Sequence, residues 1–290
     1  MPAAAKSQDE IEMGNVRELL LVITLAATCP ASAQAAAWTH SPADDRIGRI
    51  YYYERSNTDG SLDERITVFR RDAMRLEVYK ENGLCRNAAL VTADLDLATL
   101  SAPRITGGAL QADARHVEFA FLEADPKGET LNLLVQLPDQ EIRNEAPLGS
   151  PHWTLFDFDL ASLTVATPHI DARRDGFEFG MALLWADPAA DDPLVWMGDV
   201  KAQFEQDEPH LGAKTERYRL TGSAFEGERS TGSEGTLWLD AAEGHIVDAV
   251  MPAPNHPGYA DFRLRLIRFS DGGETEWTTL LRAHFANCES

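Results

Sequence analysis

Positive charge is scarce in this chain: lysine occurs only five times, and 26 Lys+Arg face 47 Asp+Glu, a net of −21 over 290 residues. So acidic a protein repels polyanions at long range, which excludes nucleic acid and anionic membrane as partners met through a basic face. Long apolar runs are also missing. The longest, residues 19–27, falls far short of the roughly 20 residues a transmembrane helix needs. Catalytic signatures are absent as well. There is no Gly-x-Ser-x-Gly nucleophile elbow, Thr231-Gly232-Ser233-Glu234-Gly235 being the nearest approach and reading as a turn. No Gly-x-Gly-x-x-Gly or lysine-bearing phosphate loop occurs. The eight histidines, at 40, 116, 152, 169, 210, 245, 256 and 284, never fall within four positions of one another, so no helical zinc pair forms. The 3 cysteines include no Cys-x-x-Cys pair. These absences leave no catalytic residue, no metal site and no cofactor to assign.

The short apolar run does have the length of a signal-peptide core. Arg17 precedes it, and Ala31-Ser32-Ala33-Gln34-Ala35 follows Pro30 with small residues suited to cleavage after Ala33 or Ala35. Asp9, Glu10, Glu12 and Glu18 run against the usual basic start, which suggests Met13 as the true first residue. The expectation is export to the periplasm or beyond, with residues 1–35 removed and no membrane span left. Cys29, preceded by Thr28 and Ala26, is a poor lipidation site. Cys85 and Cys288 are then the two remaining thiols in an oxidising compartment, and a disulfide between them is predicted. Residues 1–35 hold two cations and four carboxylates, so the mature part keeps a charge of −19 and the acidity belongs to the folded domain.

Alternation of apolar and polar residues at period two marks half-buried strands almost from end to end. It is clear at Met74-Arg75-Leu76-Glu77-Val78, Val117-Glu118-Phe119-Ala120-Phe121, Leu131-Asn132-Leu133, Phe156-Asp157-Phe158-Asp159-Leu160, Phe177-Glu178-Phe179 and Phe262-Arg263-Leu264-Arg265-Leu266. The last continues into Ile267-Arg268-Phe269 with its phase flipped by one residue, which predicts a bulge. Turn residues punctuate the strands at Asn57-Thr58-Asp59-Gly60, Asp125-Pro126-Lys127-Gly128 and Ser270-Asp271-Gly272-Gly273. Helical periodicity is weak; residues 85–100 are the best helix or loop segment, and Ala161 to Val165 suit one turn. An all-β fold follows: one antiparallel domain over 36–290, its curved sheet forming a barrel, a half-barrel round a helix, or a sandwich, with at most one or two short helices.

The carboxylates Asp157 and Asp159 alternate with aromatics and predict a polar strand face; with Asp191 and Asp192 they are the first candidates for a carbohydrate-active site. The Pro254-Asn255-His256-Pro257 loop is stiffened by two prolines and presents Asn255 and His256 as loop candidates for ligand contact. Arg263, Arg265 and Arg268 suit cross-strand pairing with carboxylates.

The meander through Gly235-Thr236-Leu237-Trp238-Leu239-Asp240 and Gly244-His245-Ile246-Val247-Asp248, together with the Cys85/Cys288 pair, resembles the exported β proteins of bacterial envelopes that share the lipoprotein-carrier half-barrel. The resemblance implies a concave apolar face that shelters an acyl chain or hydrophobic peptide without catalysis, and it carries over no individual site residue. Phe156, Phe158, Phe177, Phe179, Trp238 and Phe262 are the inward aromatics expected to line such a cavity. The function expected first is non-enzymatic binding of a lipidic ligand in the envelope, with a hydrophobic ligand or envelope protein as partner. An envelope carbohydrate enzyme and an envelope scaffold are the alternatives.

Overall fold

The computed structural model describes residues 36–185, 187, 190, 192–286 and 288. The expected signal peptide and Asp191 lie outside the described residues. Among the described residues fifteen strands, including β7 (Thr130–Leu137), β11 (Leu194–His210), β12 (Ala213–Thr221) and β14 (Ile246–Met251), form one sheet in the order β8-β7-β6-β5-β4-β3-β2-β1-β15-β14-β13-β12-β11-β10-β9. Every neighbouring pair is antiparallel except β9 (Trp153–Leu155) with β10 (Phe177–Leu184). The ends, β8 (Gln140–Pro147) and β9, are not paired, so the sheet is an open curve rather than a closed barrel or a sandwich. The terminal strand β8 bears Glu141, Arg143, Glu145 and Pro147, residues that discourage edge-to-edge pairing.

Curvature follows from where the apolar side chains go. Laid flat, fifteen strands would be roughly 70 Å wide. Yet one continuous core joins Tyr51 and Tyr53 of β1 (Ile50–Ser56), Ala146 of β8, and Leu237 and Leu239 of β13 (Gly235–Asp240). The sheet must wrap round that core. Bulges supply the bend: across β1 and β15 (Phe262–Ser270), Tyr52 faces Arg268 while Tyr53 faces Leu266, so Ile267 is the extra residue, at the predicted phase flip.

The concave face is filled by the chain between β9 and β10. There Phe156–Phe158 make a 3-10 turn, Asp159 and Leu160 adopt left-handed backbone, and α1 (Ala161–Ala166) completes a buried plug. The expected strand at Phe156-Asp157-Phe158-Asp159-Leu160 is therefore corrected: the alternation is there, but the segment turns into the core. Residues 85–100 are corrected too, since β4 (Ala88–Asp96) runs through them. Both faces of β4 are covered, with Ala93 and Leu95 on the concave core and Ala88 and Leu90 on a second cluster. Burial on both faces erases the alternation that would have marked a strand.

That second cluster lies on the opposite face under α2 (Gly273–Ala283). Trp277 stacks on Phe69 with centroids 5.2 Å apart and donates its indole N–H to Glu77 Oε2 at 2.7 Å. Glu274 and Glu276 in the first turn suit the helix dipole. Beyond α2 the chain is tied down by the Cys85–Cys288 disulfide. His284 bridges the same region, accepting from the Tyr79 hydroxyl at Nδ1 (2.5 Å) and donating from Nε2 to the Arg86 carbonyl (2.8 Å). Among the described residues no helix is long and apolar enough to cross a membrane.

Replacing both cysteines, C85S/C288S, is expected to lower unfolding stability by about 2–5 kcal/mol, because the link closes a very long loop in the unfolded chain. Urea denaturation checks this; an unchanged midpoint would contradict it.

Candidate functional site

Between the plug and strands β4 to β7 lies a cavity of about 630 Å³, within the ordinary range for a small-molecule site. It exists because the facing strands carry small residues. Ala89 of β4, Gly107 and Ala109 of β5 (Ser101–Leu110) and Ala120 of β6 (His116–Ala124) line it, and Gly107 stands opposite Ala120 in the ladder. Next along β5, Gly108 is required by close approach, since a Cβ there would lie 2.2 Å from the Val117 carbonyl oxygen at the β5–β6 bulge. Larger apolar groups complete the wall: Val91, Ile105 and Leu133 from the sheet, and Leu155 and Phe158 from the plug.

One end of the cavity is polar. On the concave faces of three adjacent strands the apolar alternation ends in charge: Tyr51-x-Tyr53-x-Arg55 on β1, Glu64-x-Ile66-x-Val68 on β2 (Glu64–Arg70), and Leu76-x-Val78-x-Lys80 on β3 (Arg75–Glu81). Arg55 and Lys80 are almost completely buried, and Asp159 is fully buried. Lys80 Nζ lies 2.6 Å from Asp159 Oδ2 and also donates to the Asp157 carbonyl. Arg55 donates to Glu64, to Asn255 Oδ1 at 2.9 Å and to the Tyr259 hydroxyl at 2.9 Å. Asn255, itself buried, donates to Asp159 Oδ1 at 2.8 Å and to the Phe156 carbonyl at 3.1 Å. The plug is thus fastened to the sheet by a network in which each buried charge has an opposite partner.

His256 and Asp157 sit beside this network and line the cavity with Glu64 and Lys80. His256 Nδ1 is 2.9 Å from Asp157 Oδ1, whereas Nε2 is shielded from solvent and has no hydrogen-bond partner. Burial pushes the Asp157 carboxyl up, but His256, Lys80 and Arg55 outweigh it and hold the group below the ordinary carboxylate value.

The aromatics expected at the cavity are dispersed. Phe158 lines it. Phe156 packs on Phe262 at 4.9 Å, and Phe177 on Phe179 and Tyr218, all four phenylalanines being fully buried in the core. Trp238 lies off the concave face, because Leu237 and Leu239 take the inward positions of β13. Its indole N–H donates to Glu208 Oε1 at 2.6 Å and its ring stacks on His210 at 4.3 Å. Of the loop pair, Asn255 holds the plug and His256 faces the cavity. Lys80, Arg55 and Glu64 escaped the sequence reading, although a lysine at an inward position of an apolar alternation, in a chain with only five lysines, was a usable signal.

Other charged clusters are structural. Arg263 pairs with Asp248, Arg265 with Glu54 and Arg268 with Glu276, as cross-strand pairing and the α2 contact dictate. His40, Asp45 and His169 place donor atoms within 4.8 Å of one another, a spacing that would suit a metal. Arg70 Nη2, however, already neutralises Asp45 at 3.1 Å. The Ser41 amide donates to His169 Nδ1 at 3.2 Å, which places the ring proton on Nε2 facing Asp45. The geometry is that of a hydrogen-bonded ion cluster. A carbohydrate-active site is likewise not formed by Asp157 and Asp159: the first is held ionised by its neighbours, and the second is sealed in an ion pair, whereas the acid of such a site needs a raised pKa and an open cleft.

The arrangement is that of an open, curved β sheet enclosing an apolar cavity with one charged end. No family model matches the chain, and no curated protein matches it. Among solved structures it is similar to the hypothetical lipoprotein YmcC from Escherichia coli K12, at 7% identity and a TM-score of 0.29 over 77% of this chain and 89% of that one. A putative outer membrane lipoprotein-sorting protein domain from Vibrio parahaemolyticus aligns at 10% identity and a TM-score of 0.25, over 83% and 94% of the two chains. A DUF1329 family protein from Desulfovibrio piger aligns at 8% identity and a TM-score of 0.22, over 78% and 87%. The reading of the site rests on its own geometry.

Lys80→Met leaves the buried Asp159 charge with only the longer 3.7 Å contact of Arg55 to offset it, and is expected to cost about 3–5 kcal/mol of stability. K80M/D159N removes both charges while keeping a residue that tolerates left-handed backbone, and should recover about half of that loss or more. Chemical denaturation of the two variants checks the network; equal losses would contradict it.

Proposed function

We propose that this protein is a non-enzymatic carrier or holder of an amphipathic, lipid-like molecule in the cell envelope. The single observation that carries the reading is the predominantly apolar cavity of about 630 Å³ between plug and sheet. A cavity walled by Val91, Ile105, Leu133, Leu155 and Phe158 suits an alkyl chain, and its charged end suits a head group. The periplasm or the exterior is the expected location, on the strength of the signal-like residues 17–35 and of a disulfide, which oxidising compartments favour.

Ala120→Leu tests the reading by filling the space without disturbing the ladder. The variant is expected to fold normally by circular dichroism and to bind an apolar fluorescent dye about tenfold more weakly or worse, a change of about 1.4 kcal/mol. Undiminished dye binding by the folded variant would contradict it.

A further inference from the structure

We propose that the polar end of the cavity selects an uncharged amphiphile whose head donates a hydrogen bond, a hydroxyl, over the carboxylate of the same chain length. This rests on the carrier reading and gives it a ligand class. Around the polar end, Glu64, Asp157 and Asp159 supply three carboxylates against the two fixed cations Arg55 and Lys80. Both cations are already engaged by internal acceptors, Arg55 Nε alone making no hydrogen bond, 3.7 Å from Asp159 Oδ1. Arg55 is committed to Glu64, Asn255 and Tyr259, and Lys80 to Asp159 and the Asp157 carbonyl. An anionic head would therefore displace an internal carboxylate or sit unpaired in a site of low polarity, which is costly. Protonation of His256 would bring the cluster only to neutrality, not to a positive charge.

His256 gives the positive half of the argument. A proton on Nδ1, the nitrogen 2.9 Å from Asp157 Oδ1, leaves Nε2 of a neutral ring as an acceptor; Nε2 and Asp157 Oδ1 are both buried with no hydrogen-bond partner. Unsatisfied buried polar atoms are few in folded proteins, and two acceptors in residues that line a ligand-sized cavity call for a donor that the ligand brings. The group that fits an acceptor beside a net-negative cluster is an O–H donor.

The test compares 1-dodecanol with dodecanoate at about pH 8, well above the ordinary carboxyl pKa. Each is titrated against the full chain carrying an environment-sensitive naphthylamine dye. The expected result is that the alcohol displaces the dye about tenfold more tightly than the acid, that H256F loses this preference while still binding dye, and that H256Q, which keeps an acceptor, retains most of it. Equal or tighter displacement by dodecanoate would overturn the head-group assignment and leave the carrier reading standing. A preference undiminished in folded H256F would also overturn it, by removing His256 as its source. If H256F fails to fold, the wild-type comparison and H256Q decide the matter. Failure of dye and both amphiphiles to bind the wild type would overturn the carrier reading, and this inference with it.

Discussion

Asp159 carries its charge at a position with no exposed surface, and the salt bridge from Lys80 keeps that charge in the core. The pair joins two parts of the chain far apart in sequence, the third strand and the plug. Breaking one side of such a pair strands a charge at low dielectric, so the plug cannot shift without a large penalty. Asn255 extends the constraint to a third segment by binding Asp159, the Phe156 carbonyl and Arg55 together. The left-handed backbone at Asp159 and Leu160, tolerated by the aspartate but unfavourable for the leucine, is held in place by the same contacts. Because the plug is fixed at that end, the space beyond it, over the small residues of β4 to β6, stays open.

The need for a plug comes from the sheet. Fifteen strands in one open layer expose two faces, and each must be covered wherever it is apolar. On the concave side the curl and the plug do this between them; on the other, α2 covers β1 to β5 and the disulfide ties down the chain beyond it. Charged side chains occupy much of the remaining surface, which accounts for the net charge of −21 and keeps long strands from pairing with other molecules. Acidity here serves the fold's solubility, and inside the cavity it biases the choice of head group.

Much of the architecture was legible in the sequence because a period of two survives wherever one strand face is wet. The meander from Gly235 to Ser270, the bulge at Ile267 and the Cys85–Cys288 link could all be read from residues alone. Reading failed where tertiary contacts override local pattern. Phe156-Asp157-Phe158-Asp159-Leu160 alternates like a strand, but burial of Asp159 against Lys80 turns it into the core. Ala88–Asp96 hides its strand because both faces are covered. The helix at Gly273–Ala283 buries little beyond Trp277 and Leu281, too short a stripe to stand out. Trp238 was expected among the inward aromatics of the alternating strands, yet its leucine neighbours hold the inner positions. The cavity left the least trace, since emptiness is a relation between Gly107, Ala120 and a plug segment dozens of residues away. Its polar end was more accessible: inward charges closing three apolar alternations are visible in the chain once the strands are paired.

The account stands or falls on whether that space holds an amphiphile in the protein's own surroundings. Native mass spectrometry of the protein isolated gently from its native envelope measures this directly. The account predicts a retained, solvent-extractable mass bound one per chain, belonging to an uncharged single-chain amphiphile. A bare polypeptide mass under conditions that preserve non-covalent complexes, before any delipidation, would contradict it.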